Sequence, residues 1–230
     1  MSIIRKIGKY LASSLFTIFL ILSVFVFSFA QSSEYATLKS ASAKAIESRL
    51  QHVSYENVSA ICQVQESVEI GIEDIGNISV PCNEVKNRED FLRLFADAIF
   101  DKIYFKRYTC KFLECIKQEP LVVLSAHANS FFKSLQLPVA IAAAIFGVIY
   151  LLLAENTTER LKGLGSAMTF CGLQFFLFSY TITFLQVAET REILDPLFSK
   201  MTIYFSATLA IGISLLIASY ISKKSLINKK

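Results

Sequence analysis

The chain contains no tryptophan and only two histidines, eight glycines and four prolines in 230 residues. Each scarcity removes a class of explanation. There is no Gly-rich phosphate loop of the kind that cradles nucleotides. His52 and His127 have no Cys or Asp partner at catalytic or metal-ligand spacing, and both read as ordinary polar surface residues. Ser125-Ala126-His127 is not a nucleophile elbow. No Cys-x-x-Cys motif is present, so the usual redox dithiol is missing. The absence of Trp beside 20 Phe is a compositional bias without functional content.

Charge is also scarce. Asp, Glu, Lys and Arg make up 18% of the chain and apolar residues 53%, against roughly 25% and 45–50% in soluble domains. The mean hydropathy is +0.49. These values exclude a disordered chain and argue against a wholly soluble one. The net charge of +4 is not massed on one face, so it indicates membrane orientation rather than nucleic acid.

The apolar residues are gathered into four uncharged runs, each near the ~20 residues that a helix needs to cross a bilayer. They are Leu11–Ala30, Leu137–Ala154, Gly163–Val187 and Ile203–Ser222. Pro138 falls at the start of the second, where its missing N–H costs nothing. The expected architecture is an α-helical integral membrane protein with four transmembrane helices and a small disulfide-bearing α+β extracytoplasmic domain. In this division residues 1–30 form a cytoplasmic tail and first span, 31–136 the outer domain, and 137–230 a three-helix membrane region with a cytoplasmic tail. Orientation follows the cations near span ends. Arg5, Lys6, Lys9, Arg160, Lys162, Lys223, Lys224, Lys229 and Lys230 fall on one side, and the short loop Ala188–Thr202 on the other has only Arg191 and Lys200. A cell-membrane location with both termini cytoplasmic is therefore expected. Ser28-Phe29-Ala30 also resembles a signal-peptidase site. The apolar run before it exceeds the usual 7–15-residue signal core, which favours an uncleaved anchor.

The segment 31–136 carries 12 Lys/Arg against 14 Asp/Glu, which removes nucleic-acid binding through a basic face. Apolar spacing predicts a helix over Tyr35–Gln51 that prolongs the first span as a stalk. Cys62, Val64, Val68, Ile70 and Ile72 alternate with polar residues, which predicts a half-buried strand. Asp74-Ile75-Gly76-Asn77 marks a turn, and Ile78 and Val80 resume the alternation. A helix over Asn87–Phe105 starts at a capping Asn87 and presents Phe91, Leu94, Phe95, Ala98, Ile99 and Ile103 as one stripe. A further helix is expected over Leu121–Leu135.

Four cysteines in this segment, an even number on the outer face, indicate two disulfides. Cys110 and Cys115 can close a tight loop, which leaves Cys62 for Cys82. Register opposes the second pairing, because a turn centred near Ile75 puts Cys82 opposite Val68. Four thiolates could also hold zinc, but only Cys110/Cys115 approach ligand spacing and the compartment is oxidising. No metal and no cofactor is expected. Cys171, inside an apolar run, reads as a small packing residue. Glu66, Glu69, Glu73 and Asp74 lack EF-hand spacing and read as a solvated strand edge. Asn57 and Asn77 head candidate N-glycosylation sequons on the outer side, whereas Asn156 heads one on the inner side.

No span contains an ionisable residue, which argues against a pump or ion-coupled carrier. Small residues recur instead. Ser206, Ala210, Ser214 and Ala218 form a ridge in the fourth run, and Gly165, Thr169 and Gly172 begin a weakly polar stripe in the third. Such ridges let helix backbones approach closely. The expected role is a non-enzymatic interaction, assembly or accessory subunit whose partners are the bilayer and another protein or a second copy. The alternatives are a channel or small-molecule or lipid transport component, with the stripe of Thr169, Ser179 and Thr183 lining its path, and an extracytoplasmic thiol enzyme using Cys110 and Cys115.

Overall fold

The computed structural model describes residues 3–40, 55–72, 75–184 and 188–227. The chain divides into two compact units. One comprises Met1–Gln31, Phe132–Val187 and Phe198–Lys230, the other Ser32–Phe131 with Ala188–Leu197. Among the described residues three helical stretches are long and apolar enough to cross a membrane: Ile3–Ser32, Ala126–Leu153 and Met201–Lys224.

In the second unit, α2 (Tyr55–Cys62) leads to a hairpin of β1 (Ser67–Ile72) and β2 (Gly76–Pro81). The strands are antiparallel, with Val68 opposite Val80 and Ile70 opposite Ile78. The alternation therefore places Val68, Ile78 and Val80 in the core, each at most 2% exposed. Gly76 turns the chain at φ 85°, a left-handed conformation that costs other residues roughly 1–2 kcal/mol. Helix α3 (Arg88–Tyr104) begins where Asn87 Oδ1 accepts the Asp90 N–H at 2.8 Å. Its Phe91, Phe95 and Ile99 cover the hairpin together with Val58 of α2.

A second face of α3 is also buried. Phe100 and Tyr104 are 1% and 5% exposed, and the ring of Tyr35 lies 5.8 Å and 5.2 Å from them. Tyr35 belongs to a helical stretch over 35–40. Its hydroxyl donates to Asp101 at 2.7 Å and accepts from Lys39 at 2.9 Å. The Tyr35 hydrogen bond, with Asp101 and Asp97 nearby, raises the Lys39 ammonium above its usual range.

Four expectations change here. The stalk does not run straight out of the first helix, because α1 (Ile3–Ser32) ends and residues 33–34 turn before 35–40; residues 41–51 lie outside the described residues. Cys62 and Val64 are not strand residues. Cys62 ends α2, and Val64 is 86% exposed in the following turn. The helix expected over Leu121–Leu135 is split by a 3-10 turn, Pro120–Leu124, and Ser125. From there α5 runs unbroken over Ala126–Leu153. Pro138 consequently sits inside a helix rather than at its start, and removes one hydrogen bond from its ladder. Between α3 and the 3-10 turn lies a short α4 (Phe112–Gln118).

In the first unit, α1 and α5 stack Phe19 on Phe146 with centroids 5.4 Å apart. Helix α6 (Thr157–Phe184) starts with a reciprocal cap. Asn156 Oδ1 accepts the Glu159 N–H, and Glu159 Oε2 accepts the Glu155 N–H, both at 2.8 Å. Glu159 also pairs with Lys9 of α1. Helix α7 (Ala188–Ile227) is helical through Ala188–Thr202, where a loop was expected. The third apolar run, Gly163–Val187, falls largely within α6, and residues 185–187 lie outside the described residues.

Helices α6 and α7 meet through glycine. A Cβ on Gly165 would lie 2.9 Å from the Gly212 carbonyl, and one on Gly172 would lie 2.5 Å from Leu209 Cβ. The ridge of the fourth run is elsewhere. Ala210, Ser214 and Ala218 are exposed and Ser206 half-buried, while Phe205, Thr208 and Ser219 of the same helix are buried. The ridge thus lies on an exposed face of α7. Its four-residue period selects a face, but Gly212, outside that period, permits the closest approach.

Candidate functional site

The bridged unit is built so that one surface stays open. Cys62 is bonded to Cys82 with Cα atoms 5.3 Å apart. The hairpin register places Cys82 beside Glu66, whose carbonyl accepts the Cys82 N–H at 2.9 Å. Residues 62–66 loop back from the end of α2, so Cys62 reaches Cys82 without lying in the strand. Cys110 is bonded to Cys115 with Cα atoms 5.6 Å apart, and the second sulfur belongs to a residue only 1% exposed.

A cleft of about 740 Å³ lies between the hairpin turn, the C-terminal end of α3 and the segment after α4. Ile75, Ile103, Phe105, Pro120 and Leu121 form its apolar wall. Phe105 and Leu121 are 60% and 45% exposed. At the rim, Lys102 Nζ donates to the Asn77 carbonyl at 2.6 Å, and Lys106 pairs with Glu119 at 2.5 Å. The Lys106 ammonium lies 5.7 Å from the centre of the Tyr108 ring. Burial raises the Tyr108 hydroxyl above its usual range, partly offset by Lys106. This arrangement can grip an apolar side chain and a neighbouring carboxylate. It places no nucleophile beside a base.

The other residues singled out from the sequence are scattered. Asn57 and Asn77 are exposed, on α2 and β2. Glu66 and Glu69 are exposed, and Glu73 and Asp74 lie outside the described residues. Among the described residues no group of three His, Cys, Asp or Glu could hold a metal. His52 lies outside the described residues. His127 is half-buried. Its Nε2 is buried without a hydrogen-bond partner, and its ring centre lies 5.9 Å from Tyr108 and 6.4 Å from Phe112. Cys171 is a buried free thiol. Thr169 lies against Gly212, with its Oγ1 2.7 Å from where a Gly212 Cβ would stand. The side chains of Ser179 and Thr183 lie outside those described. Sequence reasoning missed the cleft, because Phe105, Tyr108 and Leu121 come from separate segments with no common period.

No protein-family model, curated protein or solved structure matches this chain.

Proposed function

We propose that this is a multi-pass cell-membrane protein that presents its disulfide-bridged domain to an extracytoplasmic protein partner, as an assembly or accessory subunit. In this reading α6 supplies a further span through Gly163–Val187. Both termini are cytoplasmic, and residues 31–136 lie outside. The cationic flanks of the apolar runs support that orientation.

The observation that carries the proposal is the exposure of Phe105 and Leu121 at the cleft. Apolar surface left in water around a concavity marks interaction sites. The Lys102 and Lys106 rim favours a partner segment with an apolar anchor beside a carboxylate.

The test is to isolate the tagged full chain from its own membranes in mild detergent after brief cross-linking. A stoichiometric protein recovered with wild type, and lost with Phe105→Ala together with Leu121→Ala, is the expected result. Recovery of the chain alone, or of a partner indifferent to both substitutions, refutes the reading.

A further inference from the structure

Positive charge gathers at one end of the membrane-helix unit, where α1 and α6 begin and α5 and α7 finish. Contacts tie these four helix ends together. Lys9 of α1 pairs with Glu159 of α6. The Tyr150 hydroxyl of α5 donates to the Glu159 carbonyl at 3.0 Å, and the Ser219 hydroxyl of α7 donates to the Thr158 carbonyl at 3.0 Å. Around this junction Arg5, Lys6, Arg160, Lys162, Lys223 and Lys224 are all exposed. The acids at the same end are Glu155, which is exposed, and Glu159, which is committed to Lys9. Among the described residues Lys6, Arg160, Lys162, Lys223 and Lys224 form no ion pair.

Helix stability does not account for this arrangement. Lys223 and Lys224 suit the end of α7, but Arg5 and Lys6 fall in the first turn of α1, which holds no acid, and Arg160 falls in the first turn of α6. The helix dipole disfavours a cation at either place. The depth of the cations is more informative. Tyr10 and Tyr220, each 71% exposed, are of the type enriched at the membrane–water interface. Arg5 and Lys6 lie one helical turn beyond Tyr10, and Lys223 and Lys224 one turn beyond Tyr220. At 1.5 Å per residue that is about 5–8 Å further out, at the level of lipid phosphates.

We infer that this end of the bundle binds anionic glycerophospholipids of the adjoining leaflet, their phosphates held by Lys6 of α1, Arg160 and Lys162 of α6, and Lys223 and Lys224 of α7. Phosphatidylcholine offers the same phosphate but carries its own cation, which the patch repels. A headgroup with a net negative charge meets no such opposition, and clustered cations beside a membrane helix attract it. The inference rests on reading α1, α5 and α7 as spans. It does not depend on the role proposed for the bridged domain.

The full chain, reconstituted in phosphatidylcholine vesicles, provides the test. One preparation contains a trace of phosphatidylglycerol with a photoactivatable diazirine near the head of one acyl chain. The other contains phosphatidylcholine with the same chain. After irradiation the adducts are mapped by peptide mass spectrometry. Phosphatidylglycerol should label Tyr10 and Tyr220 roughly fivefold more than phosphatidylcholine, the worth of one cation beside an anionic headgroup. The excess should shrink in about 0.5 M NaCl, which screens exposed charge. Phe27, at the opposite end of α1, should show no excess. Lys6→Gln, Arg160→Gln and Lys162→Gln together should remove most of the excess at Tyr10. Lys9→Gln with Glu159→Gln, which leaves the net charge unchanged, should preserve it.

Equal labelling of wild type by the two lipids overturns the inference, and that comparison needs no variant to fold. An excess as large at Phe27 as at Tyr10 and Tyr220 also overturns it. So does an excess that inorganic phosphate abolishes at matched ionic strength, because the patch would then serve a soluble phosphate. A chain that alkaline carbonate strips from the vesicles refutes the membrane reading and the inference with it. A chain that stays inserted and shows no excess refutes the inference alone.

Discussion

A Cβ added to Gly212 of α7 would stand 2.5 Å from the backbone nitrogen of Thr169 on α6. The two backbones are so close that only hydrogen fits between them. A contact of this kind cannot relax by rotating a side chain, because the obstructing atom is main chain. Gly212→Ala should therefore force the helices apart and destabilise the bundle by roughly 1–3 kcal/mol. Ala210→Val, two residues away on the exposed face, should change stability by about 0.5 kcal/mol or less. The fraction of protein remaining monodisperse after graded heating in detergent separates the two variants.

The two disulfides should differ in worth. The Cys62–Cys82 bridge closes a sequence separation of 20 residues and Cys110–Cys115 one of 5. Loop-closure entropy gives about 3 kcal/mol for the first and about 2 kcal/mol for the second. Replacing Cys62 and Cys82 together by Ser should lower the urea midpoint of the bridged unit more than the same change at Cys110 and Cys115. Limited proteolysis across a urea series reads this directly.

Core and cleft phenylalanines should separate stability from binding. Phe95 is 1% exposed under the hairpin, and Phe95→Ala should cost about 3–5 kcal/mol. Phe105, 60% exposed, should be replaceable by Ala with little loss of protease resistance. Only the second variant should remain folded while losing partner recovery.

The cap of α6 predicts a pH dependence. The Lys9 hydrogen bond, reinforced by the Glu155 N–H, holds the Glu159 carboxyl below the usual carboxylate range. A folded-state value below the unfolded one adds stability above the ordinary carboxylate pKa of about 4.3. That stability is lost as the pH falls through the lower folded value. Between pH ~6 and ~3, wild type should lose thermal stability at this cap that Glu159→Gln lacks throughout. Parallel pH-dependent melting curves would refute the assignment.

Glycosylation reports the orientation. Expressed in a glycosylating eukaryotic host, the chain should acquire glycans at Asn57 and Asn77, both exposed. Asn57→Gln and Asn77→Gln should each remove one endoglycosidase-sensitive step on a gel. Asn156→Gln should remove none, because the Asn156 side chain caps α6 on the side assigned to the cytoplasm. Modification at Asn156 would invert the proposed topology.

The parts of this fold that were legible in advance are those governed by local period. Val68, Ile78 and Val80 alternate, and two-residue alternation has one buried face whatever the partner. Asn87 capped its helix as read because a cap needs only its own next three residues. Phe100 and Tyr104 went unread because they lie off the Phe91–Ile99 stripe, and their burial depends on Tyr35, more than sixty residues earlier. Pro138 was misplaced because a helix start and a tolerated helix interior look alike where both flanks are apolar.

By itself, then, the sequence determined the apolar, membrane-length helices, the hairpin and the capped helix α3. Hydrophobic length, alternation and capping are set by neighbours within a few positions. Only the tertiary structure decided that Cys62 reaches Cys82 from the end of α2, that Gly212 rather than the ridge at Ala210 meets α6, and that Gln136 Nε2 is buried without an acceptor. Each of these depends on which backbones from distant parts of the chain come within a few ångströms of one another, and no local pattern encodes that distance.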